Sequence, residues 1–436
     1  MSSGSDPVSA PDPATAPDPV SADAPGPSSP DAAQANLALA LCSVGFLLTF
    51  WAWALMGPLG ATYKEELGLT SFQQSLVVAL PVVVGSLGRI PVGALTDRLG
   101  GRTMFPLIAA LTIIPTLFVG FVNNSLVVLL IGGFFLGIGG TSFAVGVPTV
   151  NSWFPPHRRG TAIGIFGAGM GGTAVAAFTT LRIRDAFGEQ APFVLVAVLL
   201  AVYAVVARML LQNSPAWTPA QGNWVVKAAS TLIKPVTLKL SWLYAMGFGG
   251  FVAFSVYLPT YLHNFYELDI EDAALRTAIF VVIAVASRPL GGALADRFAG
   301  GWVLVISYVV TGLMAAAASE RMPLIGLDGS FYPVGTAVFL VMAASLGVAS
   351  GAVFALVAEL VEPSSVGSVT GIVGAVGGLG GFVPPLLLGY FWTQDSNYRT
   401  GLLLLFALSV ITAALTWLWF LRTARSESAD TERTPA

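Results

Sequence analysis

The sequence contains few of the residues from which soluble proteins build their surfaces and catalytic centres. Only 10% of its 436 residues are charged, against about 25% in an average soluble chain, whereas 55% are hydrophobic. One cysteine, Cys42, excludes a disulfide framework, and two histidines, His157 and His263, leave little for a metal centre. The net charge of −3 gives no basic surface for nucleic acid, and no GxxxxGK[ST] stretch provides a P-loop. These absences leave a polytopic α-helical membrane protein, for which we expect no enzymatic activity, no metal and no cofactor.

Basic residues are also missing from the start of the chain, since no Lys or Arg precedes Lys64. Residues 1–35 contain eight Pro and five Asp among mostly Ser and Ala. Such a composition cannot bury a core, and it lacks the basic region of a signal peptide. We therefore predict a disordered cytoplasmic tail over 1–35, with no role in transport.

What the chain has instead is a series of apolar runs, each long enough to cross about 30 Å of hydrocarbon. We predict twelve spans, at 36–60, 71–95, 103–122, 126–149, 159–181, 191–211, 237–262, 274–295, 301–319, 334–360, 366–391 and 400–422. The polar stretch 212–236 is predicted as a cytoplasmic linker between two six-helix bundles, 36–211 and 237–422, and residues 423–436 as a second tail. The expected fold is all-α, with twelve transmembrane helices around a central cavity.

The distribution of basic residues predicts the orientation of these spans. With both termini in the cytoplasm, twelve Lys and Arg residues lie on the inner side and six on the outer side. We therefore expect a multi-pass protein of the plasma (inner) membrane with both termini cytoplasmic, surrounded by the lipid bilayer and present as a monomer.

The two halves of the chain repeat each other. Span two contains GRIPVGALTDR (88–98) and span eight contains SRPLGGALADR (287–297), at a constant offset of 199 residues. Spans five and eleven also match, with GTAIGIFGA (160–168) against GSVTGIVGA (367–375), at an offset of 207 residues. Two related six-span halves are typical of transporters that bind their substrate near the middle of the membrane, between the halves.

A loop motif supports this interpretation. The stretch Gly93-x-x-x-Asp97-Arg98-x-Gly100-x-Arg102 resembles the cytoplasmic loop motif of the major facilitator superfamily, and a second copy from Gly292 to Gly301 lacks the final Arg. The resemblance covers residues 36–422 and implies the major facilitator fold. An Asp near a helix end can pair with neighbouring arginines and hold one gating state, so we expect a gating role for five residues: Asp97, Arg98, Arg102, Asp296 and Arg297.

Two arginines are predicted to lie deep in the membrane without a carboxylate partner. Arg89 and Arg288 each precede a motif aspartate by eight residues, which places them roughly 12 Å from the helix ends. A charge at that depth costs at least about 2.5–3.5 kcal/mol. Apart from the motif aspartates, the only acid within a span is Glu359. Backbone carbonyls and water, or Glu359, would satisfy the two arginines in one interpretation. In the interpretation we favour, the missing partner is an anionic substrate, because the planar fork of Arg matches two oxygens at once.

The glycine-rich stretches GIFGAGMGGT (164–173) and GIVGAVGGLGGFVPP (371–385), together with the two arginines, resemble the nitrate/nitrite porter family of the major facilitator superfamily. In that family the two arginines hold the anion and aromatic rings sandwich it. The resemblance implies that the substrate site here contains Arg89, Arg288, Phe143, Tyr244, Phe248, Gly167, Gly171, Gly374 and Gly377. The chain departs from the family at Met170 or Gly171 and at Ser142, where many members have Asn.

The expected function is transport of nitrate, nitrite or both by alternating access, with one anion exchanged for another. An empty slot would leave two positive charges facing each other, which disfavours the return of the empty carrier. Tetrahedral anions such as sulfate should be too thick for the slot. Three further functions stay open: a proton-coupled symporter using Glu359, a carrier of cyanate or a small carboxylate, and a nitrate sensor without flux.

Overall fold

The computed structural model describes residues 29–215, 217–219, 229–322, 324, 334–361 and 366–422, and these residues form helices and short connections without a strand. Twelve helices in this described part are long and apolar enough to cross a membrane, as predicted. They are α1 (Ala32–Leu67), α2 (Ser71–Leu99), α3 (Gly101–Phe121), α4 (Leu126–Trp153), α5 (Ala162–Phe187), α6 (Ala191–Leu210), α7 (Pro235–Tyr266), α8 (Ile270–Phe298), α9 (Gly300–Ala318), α10 (Val334–Val357), α11 (Val369–Asp395) and α12 (Arg399–Leu421).

Two predicted boundaries are wrong by several residues. The helix of α1 begins at Ser29, so residues 29–35 are helical and not part of a disordered tail. Pro30 suits the first helical turn, and the alanine-rich sequence that follows favours the helix. Likewise, residues 229–232 are helical and α7 begins at Pro235, so helix extends into the predicted linker. The rest of the predicted N-terminal tail (1–28), residues 220–228 of the linker and the C-terminal tail (423–436) lie outside the described residues.

Several spans are interrupted near the middle, where glycine is frequent. In α2 the regular helix stops at Leu87 and resumes at Arg89, after Gly88. A 3-10 segment, Gly137–Thr141, divides α4, and another, Ala168–Gly171, divides α5. Glycine weakens an α-helix by about 1 kcal/mol relative to alanine, and short 3-10 turns replace α-helix where the chain is under such strain. These breaks lie next to the deep arginines and the aromatic residues described below.

The two six-helix halves are in contact at the end of the bundle where α1 connects to α2, called here the α1–α2 end. Gln74 Nε2 of α2 donates a hydrogen bond to Thr260 Oγ1 of α7 over 3.1 Å, and the backbone N of Phe72 donates to Thr393 Oγ1 of α11 over 3.2 Å. Gly389 of α11 packs so closely on α2 that any side chain there would overlap Ser75. These contacts close the α1–α2 end.

The halves are apart toward the opposite end, where α2 connects to α3, called here the α2–α3 end. A Cβ atom built on Gly164 of α5, Gly292 of α8 or Gly371 of α11 would meet no described atom within 4 Å. Gly167 and Gly171, one and two turns further along the same face of α5, also have no described neighbour within 4 Å. The faces of α5, α8 and α11 that carry these glycines are therefore not packed against other described elements toward the α2–α3 end.

Candidate functional site

Arg89 occupies the first position of the second segment of α2 and is only 5% exposed. Its Nη1 donates a hydrogen bond of 2.6 Å to the carbonyl oxygen of Gly374 in α11, and its Nε donates one of 3.3 Å to the carbonyl of Gly140 in α4. The first of these bonds crosses from one half of the molecule to the other. Arg89 is thus held by neutral backbone carbonyls, in line with one of the two interpretations drawn from the sequence.

Arg288 in α8 is half-buried and has different neighbours. Its Nη1 lies 2.7 Å from the sulfur of Met170 in α5, and its Nη2 donates a hydrogen bond of 3.1 Å to the hydroxyl of Tyr244 in α7. The contact with Met170 again joins the two halves. Behind Arg288, α10 passes so closely that a Cβ atom on Gly351 would overlap the arginine's own carbonyl oxygen, which keeps this part of α8 in place.

A single aromatic ring contacts both guanidinium groups. The Cζ atoms of Arg89 and Arg288 each lie 5.4 Å from the ring centroid of Phe248, so their separation cannot exceed twice that distance. The Phe248 ring stacks on Tyr244 with centroids 4.8 Å apart and an interplanar angle of 5°. The two rings belong to successive turns of α7, as their spacing predicts. Cation–π attraction to the shared ring offsets part of the repulsion between the two charges.

Phe143 also contacts Arg89, with its ring centroid 5.2 Å from Cζ. Two further rings support it, because Phe46 and Phe166 stack 4.7 Å apart and both contact Phe143. The neighbouring Ser142 is buried and does not reach the arginines. Its hydroxyl is hydrogen-bonded to Thr49 at 2.7 Å and to the carbonyl of Gly139 at 2.9 Å.

The four glycines expected at the site divide into two pairs. A Cβ atom on Gly377 would lie 2.2 Å from the Tyr244 ring, and one on Gly374 would lie 3.4 Å from Phe143 and 4.0 Å from Arg89 Nη1. These glycines of α11 let the side chains of the site approach the backbone. Gly167 and Gly171 of α5 border open space instead.

The acid proposed for proton coupling is far less enclosed than expected. Glu359 is exposed, one residue before the end of its helix at Leu360, and not buried as predicted. Glu359 lies on the outward face of the last turn of α10, whereas Val357 and Val361 on either side of it are buried. Neither Arg89 nor Arg288 has a carboxylate within ion-pair distance among the described residues.

The residues expected to act in gating lie at the α2–α3 end, away from the arginines. Five of them are exposed there: Asp97, Arg98, Arg102, Asp296 and Arg297. The backbone N of Arg102 donates a hydrogen bond of 3.0 Å to Asn213 Oδ1, just after α6. This bond attaches the start of α3 to the segment that leaves the first half.

Sequence reasoning missed several contacts around the arginines. The carbonyl of Gly140 accepts a hydrogen bond from Arg89, and the ring of Phe354 contacts Tyr244 with centroids 4.8 Å apart. Nothing in the sequence marks either residue as part of a binding site. In the sequence, Met170 stands out only as a departure from a family pattern. That departure does not predict the contact of Met170 with Arg288. The density of glycine in 137–140 is the one sequence signal that marks an accessible backbone carbonyl there.

Comparison with known proteins agrees with this architecture. A family model described as Major Facilitator Superfamily matches residues 42–319 and 268–436. A probable nitrate/nitrite transporter of Mycobacterium tuberculosis, NarK2, is 44% identical over 385 residues, which cover 88% of this chain and 95% of that protein. A nitrite extrusion protein of Bacillus subtilis is 34% identical, over 89% of this chain and 95% of that protein. The solved structure of a bacterial homologue of the human lysosomal transporter Spinster, inward-facing and unoccupied, shares the fold, with a TM-score of 0.69 and 18% identity over 90% of this chain and 97% of that one.

Proposed function

The chain belongs to the nitrate/nitrite porter family of the major facilitator superfamily, and we propose that it exchanges nitrate and nitrite across the plasma membrane by alternating access. The observation that carries the proposal is the pair of guanidinium groups that meet at Phe248 from equivalent positions of the two repeats. The names of the relatives support nitrate and nitrite as the anions. The proposed carrier is a monomer with both termini in the cytoplasm.

The electrostatics of the site favour an anionic substrate. The partners that the described residues offer to the two guanidinium groups are neutral: two backbone carbonyls, a thioether and a hydroxyl. Two positive charges therefore remain uncompensated in a medium of low dielectric constant, where they repel each other more strongly than in water. A small anion between them supplies the missing negative charge and accepts hydrogen bonds from both forks.

The shape of the site favours a planar anion. The ring of Phe143 and the stacked rings of Phe248 and Tyr244 all lie close to Arg89, and these flat surfaces limit the thickness of a bound molecule. Nitrate and nitrite are planar, and each has at least two oxygens in one plane that can accept hydrogen bonds from a guanidinium fork. A tetrahedral anion such as sulfate would need the rings to separate.

The state of the halves fits one step of alternating access. The α1–α2 end is closed by contacts between α2, α7 and α11, whereas glycines of α5, α8 and α11 toward the α2–α3 end are not packed against other described elements. In the proposed orientation the site faces the cytoplasm. When the anion binds, its oxygens replace the Gly374 carbonyl and the Met170 sulfur as partners of the arginines, and the halves rock about it. An empty slot keeps the two charges unpaired, which disfavours an empty return and makes exchange obligatory.

The proposal is tested by flux measurements on the purified full-length protein in liposomes. Labelled nitrate uptake is measured into liposomes loaded with nitrite, with nitrate or with no permeant anion, each with and without an inward proton gradient. Exchange predicts uptake only when nitrate or nitrite is inside, and no effect of the gradient. Uptake into anion-free liposomes driven by the gradient would show proton symport instead.

Transport of a different anion and nitrate sensing without flux are distinguished by two additional arms of the same assay. A competition panel of cyanate, formate and sulfate identifies a carrier with a different preferred anion, since such an anion would compete better than nitrite. Deletion of residues 1–28 tests for a sensor, because a transporter retains its flux without this segment. A folded protein that binds nitrate but carries none would contradict the proposed exchange.

A further inference from the structure

Met170 provides the hydrogen-bond contact from the first half to Arg288 among the described residues. It is 1% exposed, and its sulfur lies 2.7 Å from Arg288 Nη1. At the equivalent position of the second repeat, 207 residues on, stands Gly377, where the Tyr244 ring occupies the space that a side chain would need. The glycine-rich segments of α5 and α11 therefore place a single long side chain beside the arginines, and it comes from α5.

A thioether is an unusual partner for a guanidinium group. Sulfur in methionine is a weak hydrogen-bond acceptor and has no hydrogen to donate. A charged donor gains more from a charged oxygen than from a neutral sulfur, so an anion that enters the slot displaces Met170 from Nη1. Methionine can move aside at low cost because it is unbranched and has three rotatable side-chain bonds.

Met170 also supplies no hydrogen-bond donor to a bound anion. A bound anion exchanges its hydration shell for the donors of the site, which here are the two guanidinium groups and the Tyr244 hydroxyl. Nitrite concentrates its charge on two oxygens and holds water more tightly than nitrate, which spreads the same charge over three. Because a thioether stands where another donor could be, hydrogen bonds in the site compensate less of the free energy that the anion loses on dehydration. The uncompensated part is larger for nitrite than for nitrate.

We infer that Met170 determines the anion preference of the site: it acts as a displaceable partner of Arg288 in the empty slot and, by giving the anion no hydrogen bond, favours nitrate over nitrite. The inference rests on the proposed function, since it concerns the same slot. Met170 positions Arg288 and affects which anion is preferred. Unlike the two arginines, it is uncharged and forms no ion pair with the anion.

The test compares nitrate and nitrite binding by the wild-type protein with binding by two variants of similar side-chain volume. Calorimetric titration of the full chain in nanodiscs gives both affinities. Met170→Gln adds an amide donor at nearly the same length, and Met170→Leu removes the sulfur without adding a donor. Wild-type protein is expected to bind nitrate more tightly. Met170→Gln is expected to lower the ratio of nitrate to nitrite affinity by about five- to tenfold, through tighter nitrite binding.

The control variant separates chemistry from packing. Met170→Leu is expected to keep the ratio within about twofold of the wild-type value, since neither side chain donates a hydrogen bond to the anion. An equal shift in both variants would assign the effect to packing and overturn the inference, as would an unchanged ratio in Met170→Gln. If Met170→Gln does not fold, a wild-type preference for nitrite would by itself overturn it. A wild-type protein that is folded but binds neither anion would contradict the proposed function itself, a result distinct from a changed ratio.

Discussion

Arg89 and Arg288 stand at equivalent positions of the two repeats, but the two halves hold them differently. Arg89 is almost fully buried and bonded to two backbone carbonyls, whereas Arg288 is half-buried and contacts a thioether and a hydroxyl. Carbonyls are strong acceptors and cannot move away from their helix, whereas a thioether is weak and mobile. The comparison indicates that Arg89 is an anchored charge and that Arg288 is the one released more easily to meet the anion.

The difference arises from the helices that face the arginines. Gly374 and Gly378 of α11 leave the backbone accessible, so Arg89 Nη1 reaches a carbonyl across the interface between the halves. In α5, by contrast, the side chain of Met170 contacts Arg288, and the hydrogen bonds of the Arg288 guanidinium go to side chains and not to backbone carbonyls. One of the differences between the repeats, Met170 against Gly377, thus accompanies two distinct environments for the equivalent arginines.

The largest effect is expected from Arg89→Ala. The substitution removes an anion ligand and leaves the carbonyls of Gly140 and Gly374 without their donor in a buried place. An unsatisfied buried group costs about 1–3 kcal/mol, so we expect loss of exchange together with a lower melting temperature. Flux in liposomes and thermal unfolding of the detergent-solubilised protein measure the two effects. A variant with normal exchange would contradict the role of Arg89 in the slot.

Arg288→Lys tests the other side of the comparison and should act mainly on binding. Lysine keeps the charge but lacks the planar fork, so nitrate affinity is expected to fall by about 10- to 100-fold. The melting temperature should fall less than in Arg89→Ala, because the Met170 sulfur that Arg288 loses is a weak acceptor and a lysine ammonium still offers a donor to the buried Tyr244 hydroxyl. Arg297→Lys, at the exposed end of the same helix, is the matched control and should bind nitrate normally. Equal destabilisation by Arg89→Ala and Arg288→Lys would remove the distinction between an anchored and a released arginine.

Gly377→Ala and Gly171→Ala compare the two glycine-rich helices directly. A Cβ atom on Gly377 would lie 2.2 Å from Tyr244, so the ring must shift away from Arg288 and Phe248. Overpacking of this kind costs about 1–3 kcal/mol, and strain of that size in the anion site corresponds to a loss of about 5- to 150-fold in nitrate affinity. Gly171→Ala faces open space in this state, and its nitrate affinity should equal that of the wild type. Weak binding by Gly171→Ala would show that α5 and α11 are equally tight.

The smallest effect is expected from Glu359→Gln. Glu359 is exposed near the end of its helix and forms no ion pair with either arginine. Removal of its charge should leave exchange and its independence from a proton gradient unchanged. Flux with and without an inward gradient checks this, with the wild-type protein as the reference. A selective loss of gradient-driven uptake would return Glu359 to a coupling role.

Much of the fold could be predicted from the chain, and the reasons are physical. A span needs about 20 apolar residues, so the twelve helices can be read from composition alone. Helix ends were harder to predict, because alanine continues α1 back to Ser29 and Pro235 starts α7 inside the expected linker. The internal breaks of α2, α4 and α5 follow the glycines, but their geometry depends on the helices that pack against them.

The candidate site was predicted less completely. Repetition of a charged residue in two acid-poor spans was enough to single out Arg89 and Arg288, and a spacing of four residues placed Tyr244 and Phe248 on one face. Nothing in the spacing could indicate that Arg89 bonds to Gly374, 285 positions along the chain. The exposure of Glu359 also depended on which face of the last turn of α10 packs against the bundle.

The sequence by itself determined the twelve spans, the twofold repeat and the presence of two deep positive charges, because hydrophobic length, periodicity and the cost of a buried charge are local properties of the chain. Only the tertiary structure decided which end of the bundle is closed, that one ring lies against both guanidinium groups, and that a sulfur faces one arginine and a carbonyl the other. Those features depend on how closely helices that are distant in sequence pack together. A few glycines set that distance, because they have no Cβ atom to keep the helix backbones apart.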